Sequence, residues 1–206
     1  PADPDRDLSR DVMMKSIWRP YVNFFAVEEN DLQFRRYDGQ MSEVVNRGAL
    51  HVGQVVAVLP YDPVHDSVLI VEQFRPAVMM SGSRAPWVWQ PVAGLIDPGE
   101  APEVAAHREA AEEAGLTLSR LEPAGQAYAS PGSSTEFVYM YVGIADLTDT
   151  QSIGGLAEEG EDASSVEAPS AAPAAAPKVE KVPEEDEKVI EKEIKSEQSE
   201  TEKKAE

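Results

Sequence analysis

Short apolar runs punctuated by Gly, Pro and Asp dominate the first three quarters of the chain, and their lengths are those of strands. Trp18 to Glu28, Leu32 to Tyr37 and Met41 to Val45 predict a small antiparallel sheet, with Asp38-Gly39 as the hairpin turn between the last two. Further strands are expected over Gln54 to Pro60, Ser67 to Arg75, Trp87 to Ala93, Gly125 to Ala129 and Glu136 to Ala145. Trp87 and Trp89 alternate with Val88, a pattern that reads as packing rather than as a platform for a ligand. Between the third and fourth of these strands the pattern changes. Asp97-Pro98-Gly99 is a turn, Pro102 suits the first position of a helix, and Gly115 stands just past its end, so a loop feeds a helix. Strands with intervening helices predict a mixed α/β (α+β) sandwich.

The pattern fails beyond the last strand. No aromatic residue follows Tyr141, and Ala163 to Glu206 is built mainly from Ala, Pro, Glu, Lys and Ser. Such sequence has too little apolar surface to offset the cost of ordering, so an extended or disordered tail is expected. Glu184 to Lys204 could form a solvated helix, but Val189, Ile190 and Ile194 give it only a narrow apolar stripe. A partner-binding helix is the alternative there. The expected division is a dimerising sheet over residues 1–50, a main domain over 51–162 and a low-complexity tail over 163–206.

Charge narrows the partners. The net charge is −20; the tail has 12 acids and 7 bases, net −5, and residues 1–162 have 26 acids and 11 bases, net −15. So negative a surface argues against nonspecific binding to nucleic acid or to anionic membranes. With 0 cysteines there is no disulfide framework, thiolate site or cysteine nucleophile. No apolar run approaches a membrane span, and the acidic N-terminus does not resemble a signal or transit peptide. A cytoplasmic location is expected, with an organellar matrix as the alternative.

Candidate chemistry is concentrated in Gly94 to Leu116, GLIDPGEAPEVAAHREAAEEAGL. Gly94, Glu100, Arg108, Glu109, Glu112, Glu113 and Gly115 fit the spacing G-x5-E-x7-R-E-U-x-E-E-x-G-U, which at ordinary residue frequencies arises by chance at a given start about once in 10⁸. On the helix, Glu109 and Glu113 are four apart and Glu112 is three from Glu109, so three carboxylates project from one side. Like charges at such spacing repel unless a cation neutralises them, and hard oxygen ligands favour Mg²⁺ or Mn²⁺. A solvated acidic face is the alternative for the carboxylates alone.

This stretch resembles the box of the Nudix hydrolases, and from about Asp11 to Asp162 the chain resembles their ADP-ribose pyrophosphatases. Pro131 in Ala129-Ser130-Pro131-Gly132, sixteen residues beyond Gly115, points to that subfamily, as do Tyr37 to Ser42, Leu59 to Pro63 and Val71 to Arg75. The resemblance implies a Nudix-type α/β/α sandwich with a mixed sheet, and a homodimer exchanging contacts through the N-terminal sheet. It implies that the Ala93 carbonyl, Glu109 and Glu113 hold metal with help from Glu112, and that Arg108 orients the box through a salt bridge to a glutamate. In the acidic segment Gly155 to Asp162, Glu159 would activate the attacking water and Glu161 would complete the metal site, with Glu158 as the alternative base. Arg75, Ser130 and Glu136 would line the phosphate or ribose pocket. Phe24 would stack on adenine, and Arg47 would approach the nucleotide across a dimer; the alternatives are a core Phe24 and a surface Arg47.

The implied reaction is Mg²⁺-dependent hydrolysis of ADP-ribose to AMP and ribose 5-phosphate. Another nucleoside diphosphate sugar, NADH or a dinucleoside polyphosphate is the nearest alternative substrate. In the family a strand and a long helix follow the acidic loop, where this chain turns Pro/Ala-rich, so loss of the last elements is expected. A second class of function follows from that departure: an inactive Nudix-like scaffold binding a protein partner through its tail.

Overall fold

Alternation of buried and half-buried side chains along two antiparallel strands organises the fold. The computed structural model describes residues 5–148, 153–154 and 163–169, the last two stretches as backbone. Strand β4, Gln54–Asp62, buries Val56, Val58, Pro60 and Asp62, and β5, Ser67–Phe74, buries Ser67, Leu69, Val71 and Gln73. A period of two fixes which side chains face inward, so the polar members of these sets are as buried as the valines. The chain forms two compact units interleaved along the sequence: Pro1–Val58, Ala93–Glu109 and Leu121–Gly143 in one, Leu59–Val92, Ala110–Arg120 and Ile144–Glu206 in the other.

The first unit opens with a short helix α1, Leu8–Asp11, capped by the Asp7 carboxylate accepting from the Ser9 N–H. Strands β1, Val12–Val22, β2, Ala26–Phe34, and β3, Val45–His51, then form an antiparallel sheet in the order β1-β2-β3. Pro20 sits on β1, an edge strand, where the register shifts between Trp18 and Tyr21; an edge bulge is where a residue without an N–H is tolerated. The unit continues through the first half of β4, then β7, Val92–Leu95, the first part of helix α3, Pro102–Ala114, and strands β8, Arg120–Tyr128, and β9, Phe137–Ile144. Strand β9 lies between β4 and β8. Val56, Val58, Ala105 and Ala106 are fully buried here.

In the second unit β5 pairs with the end of β4 at Tyr61↔Val68 and Asp62↔Ser67, and with β6, Trp87–Gln90, from Val71↔Gln90 to Phe74↔Trp87. A short helix α2, Pro76–Met80, follows β5 with Pro at its start. Leu69, Val71, Val92, Ala110 and Leu147 are buried, and the Asp62 carboxylate accepts from the Leu147 and Val64 N–H groups and from His65. Strands β10, Ile153–Gly154, and β11, Ala163–Pro169, complete this unit in the order β10-β11-β5.

Three expectations change. The N-terminal chain reverses at Asn23–Phe25, where the Asn23 N–H donates to the Phe25 carbonyl, inside the strand expected over Trp18 to Glu28. The reversal carries Phe24 and Phe25, in edge-to-face contact at 4.7 Å, instead of Gly or Pro, so composition does not mark it. Asp38-Gly39 is a turn, with the Gly39 N–H donating to the Arg36 carbonyl, but it flanks a single bridge, Arg35↔Met41, and the third strand is Val45–His51 instead of Met41 to Val45. Lastly, Ala163–Pro169, expected to be linker, pairs antiparallel with β5 from Ala163↔Gln73 to Pro169↔Ser67. Backbone pairing to a strand edge needs no apolar composition, which is why a hydropathy reading misses it. The expected helix over Glu184 to Lys204 lies outside the described residues. No helix among the described residues is long and apolar enough to cross a membrane.

Candidate active site

Helix α3 carries the box. Its first turn starts at Pro102, and at its end the Gly115 and Leu116 N–H groups donate to the Ala111 and Ala110 carbonyls, with Gly115 at φ +64°. Ala105, Ala106, Ala110 and Ala114 share the buried positions of this helix with two carboxylates, Glu109 at 8% exposure and Glu113 at 2%. Buried acids are rare unless partnered. Glu112, by contrast, is half-buried.

Each buried carboxylate has its own support. In the first unit the Arg108 guanidinium forks onto Glu100, with Nε to Oε1 at 3.1 Å and Nη2 to Oε2 at 3.0 Å. Its Nη2 also donates to the Leu95 carbonyl at 3.0 Å, and its Nη1 donates to Glu109 Oε1 at 2.7 Å. A planar donor held by two groups presents its third edge to Glu109 in a fixed direction. Hydrogen bonding from Arg108, followed by the Asp97 N–H, holds the Glu100 carboxyl below the usual carboxylate range. Gly94 completes the arrangement. A Cβ at this position would lie 2.0 Å from Glu109 Oε1, so only glycine admits the carboxylate against the β7 backbone.

Glu113 is served by the second unit. Gln73 Nε2 donates to Glu113 Oε1 at 2.9 Å, Gln90 Nε2 donates to Gln73 Oε1 at 2.6 Å, and Arg75 Nε donates to Gln90 Oε1 at 2.9 Å. Neither glutamine was singled out from the sequence. Gln73 had a readable mark all the same: it occupies the inward phase of a strand whose other inward residues include Leu69 and Val71.

The other candidates are distributed as follows. Arg75 follows β5 and caps α2, its N–H donating to the Pro86 carbonyl and its own carbonyl accepting from Val78 and Met79. Ser130 is exposed in a turn whose carbonyl accepts from Ser133 and Ser134, and its hydroxyl is 2.8 Å from the Ser133 hydroxyl. Glu136 is half-buried, its N–H donating to the Ser134 hydroxyl 3.1 Å away. Phe24 lies in the β1–β2 reversal at 78% exposure, and Arg47 is an exposed residue of β3 opposite Asn30. Trp87 and Trp89, expected to pack, are 61% and 53% exposed; Trp87 meets the Phe74 ring at 5.3 Å, on the face of β6 opposite Gln90 and Val88. Glu158, Glu159 and Glu161 lie outside the described residues. Among the described residues no group of three or more His, Cys, Asp or Glu converges as a metal cage.

Comparison with known proteins agrees with this geometry. The NUDIX domain model matches residues 51–192. The ADP-ribose pyrophosphatase of Escherichia coli (strain K12) is 42% identical over 142 residues, covering 69% of this chain and 68% of that one. The GDP-mannose pyrophosphatase of Enterobacter sp. (strain 638) is 33% identical over 153 residues, covering 71% and 75%. Among solved structures, an ADP compounds hydrolase superposes with a TM-score of 0.56 at 22% identity over 79% of this chain and 80% of that one, a likeness of fold. With two buried carboxylates on a box helix, a glycine that admits one of them and a family match over most of its length, this chain belongs to the NUDIX domain family.

Proposed function

We propose that this chain hydrolyses the diphosphate of ADP-ribose to AMP and ribose 5-phosphate with the aid of a divalent cation, Mg²⁺ or Mn²⁺. The observation that carries the reading is the pair of buried, individually supported carboxylates Glu109 and Glu113, one helical turn apart. Hard, anionic oxygen donors suit such a cation, and Glu109, Glu113 and the Ala93 carbonyl would hold it, with Glu112 alongside and Glu161 joining from the acidic segment. Bound there, the cation supplies charge neutralisation for the diphosphate oxygens. Relatives named ADP-ribose pyrophosphatase at 42% and 38% identity support the substrate.

The chain's own residues supply orientation and proton transfer. Arg75 donates to phosphate oxygen or the terminal ribose, joined by Ser130 and Glu136, while Phe24 stacks on the adenine and Arg47 reaches the nucleotide of a second copy. Glu159 takes the proton of the attacking water as its oxygen bonds to phosphorus; the bridging P–O bond breaks and the bridging oxygen leaves with the other phosphate. Arg108 acts through Glu109, whose carboxylate it fixes.

A homodimer is part of this reading. Ile17, Trp18, Tyr21 and Val22 on the edge strand β1 are 54–67% exposed, which leaves apolar side chains on both of its faces for a second copy to cover. The residue division 1–50, 51–162 and 163–206 and a cytoplasmic workplace complete it. The GDP-mannose pyrophosphatase relatives favour a second reading, in which another nucleoside diphosphate sugar is the preferred substrate. AMP release from ADP-ribose with Mg²⁺, compared for the wild type and Glu113→Gln and set beside a panel of nucleoside diphosphate sugars, tests both. A folded wild type with no turnover on any member refutes the enzyme.

A further inference from the structure

Between Arg75 and Glu113 stand two primary amides, and their polarity is dictated from the ends. Arginine can only donate and an ionised carboxylate can only accept. Gln90 therefore turns its oxygen to Arg75 and its nitrogen to Gln73, and Gln73 turns its oxygen to Gln90 and its nitrogen to Glu113. Every link is 2.6–2.9 Å. Amide orientation in such a chain is a consequence of the termini instead of an arbitrary assignment.

The strands make the chain rigid. Gln73 is 3% exposed on β5, and Gln90 on β6 pairs with Val71 in the antiparallel ladder. That register puts both side chains on one face, in the diagonal relation from which long side chains meet. Arg75 is pinned at its own backbone by the Pro86 carbonyl and by the first turn of α2. With Nε committed to Gln90, the guanidinium offers its Nη edge to an anion.

We propose that Gln73 and Gln90 are positioning residues: a one-way amide relay that sets the Glu113 carboxylate for the divalent cation and couples it to Arg75, the residue that takes a phosphate oxygen. The proposal rests on the metal and substrate roles given above to Glu113 and Arg75. In the relay, anything that turns Arg75 rotates Gln90, and Gln73 carries that rotation to the carboxylate. Supports of this kind around metal ligands alter metal affinity or activity by about 10–100-fold when removed.

Mn²⁺ binding to the full chain, followed by the EPR signal of free Mn²⁺ with no substrate present, tests it. Gln73→Met keeps the volume while removing the amide, donor and acceptor together, and is expected to weaken Mn²⁺ binding about tenfold or more. Gln90→Met is expected to weaken Mn²⁺ binding by a smaller factor and to raise KM for ADP-ribose. Since the two act in series, the double variant should bind Mn²⁺ no more weakly than Gln73→Met alone. Wild-type Mn²⁺ affinity in Gln73→Met, or a double variant showing the product of the two single effects, overturns the relay while leaving the enzyme intact. A wild type that binds no Mn²⁺, or Glu113→Gln that binds it as the wild type does, removes the metal reading and the relay together. Circular dichroism melts check folding; should Gln73→Met not fold, Gln90→Met decides, and unchanged Mn²⁺ affinity and KM in it overturn the relay.

Discussion

Replacing Gly94 by alanine should separate activity from stability. The added Cβ would stand 2.0 Å from Glu109 Oε1, 2.1 Å from Cδ and 2.3 Å from Oε2, against a floor of 3.0 Å for real Cβ contacts. The carboxylate must therefore retreat by about 1 Å or more. It is the end of a flexible side chain, so the backbone need not break. Arg108 does not follow it, because Glu100 and the Leu95 carbonyl hold the guanidinium through three bonds. The 2.7 Å bond from Arg108 to Glu109 is then lost. A charge-assisted bond of this kind contributes about 2 kcal/mol net, equivalent to roughly 4–8 °C in Tm for a chain of this size. Activity falls further, by about 10²-fold, since a 1 Å misplacement of a group that holds the reacting centre has that scale. Gly39→Ala is the control: φ is +82° with nothing within 4 Å, so it costs about 1–2 kcal/mol in backbone strain and leaves turnover alone. Calorimetry and AMP release on both variants give the comparison. Wild-type turnover in Gly94→Ala, or equal activity losses in the two variants, refutes the argument.

Glu109→Gln and Glu113→Gln should each lower ADP-ribose turnover by about 10³-fold while both proteins still melt cooperatively. Asp62 supplies a pH dependence: hydrogen bonding from His65, opposed by burial and reinforced by the Leu147, Val64 and His65 N–H groups, holds its folded pKa far below the ordinary value near 3.8. A depressed carboxylate pKa stabilises the fold above the unfolded value, and that contribution is lost as pH falls below about 4. Tm should therefore drop between pH 5 and pH 2, less steeply in Asp62→Asn; identical profiles would remove Asp62 from the account. Trp18→Glu should shift the chain from dimer to monomer in size-exclusion chromatography with light scattering, and an unchanged mass would exclude the Trp18 side of β1 as the contact. Truncation after Asp162 removes β11 and bares the edge of β5, so a lower Tm and aggregation are expected, and an unchanged Tm would remove this pairing from the account.

What was legible in the sequence and what was not divide along physical lines. The box helix, β4, β5 and β9 could be placed because turn residues bound them and their apolar pattern is regular. Gly94 could be singled out from spacing, but the reason it must be glycine, the approach of Glu109, exists only in three dimensions. The Asn23–Phe25 reversal was hidden by aromatic residues, and β8 begins at Arg120, ahead of the expected start at Gly125, with Pro123 and Gly125 inside it. Strand β8 ends the order β4-β9-β8, and at a sheet edge such residues are accommodated. Gln73 and Gln90 were passed over since amides carry no charge to draw the eye; only the pairing of β5 with β6 brings them into line.

The alanines of α3 restrict how this protein can be altered. Apart from the carboxylates Glu109 and Glu113, the buried side of the helix is Ala105, Ala106, Ala110 and Ala114, no deeper than a methyl group. Enlarging any one would lift the helix and carry Glu109 and Glu113 with it, so the usual engineering route of filling a core with larger side chains is closed here. Gains in thermal tolerance on this element have to come from its outward positions, such as Val104 at 58% exposure and the exposed His107, where helix propensity can be raised without moving a carboxylate. Natural drift meets the same asymmetry: outward positions such as Val104 and His107 can change freely, while the dry positions beside the two carboxylates are held to the smallest side chain that still forms a helix well.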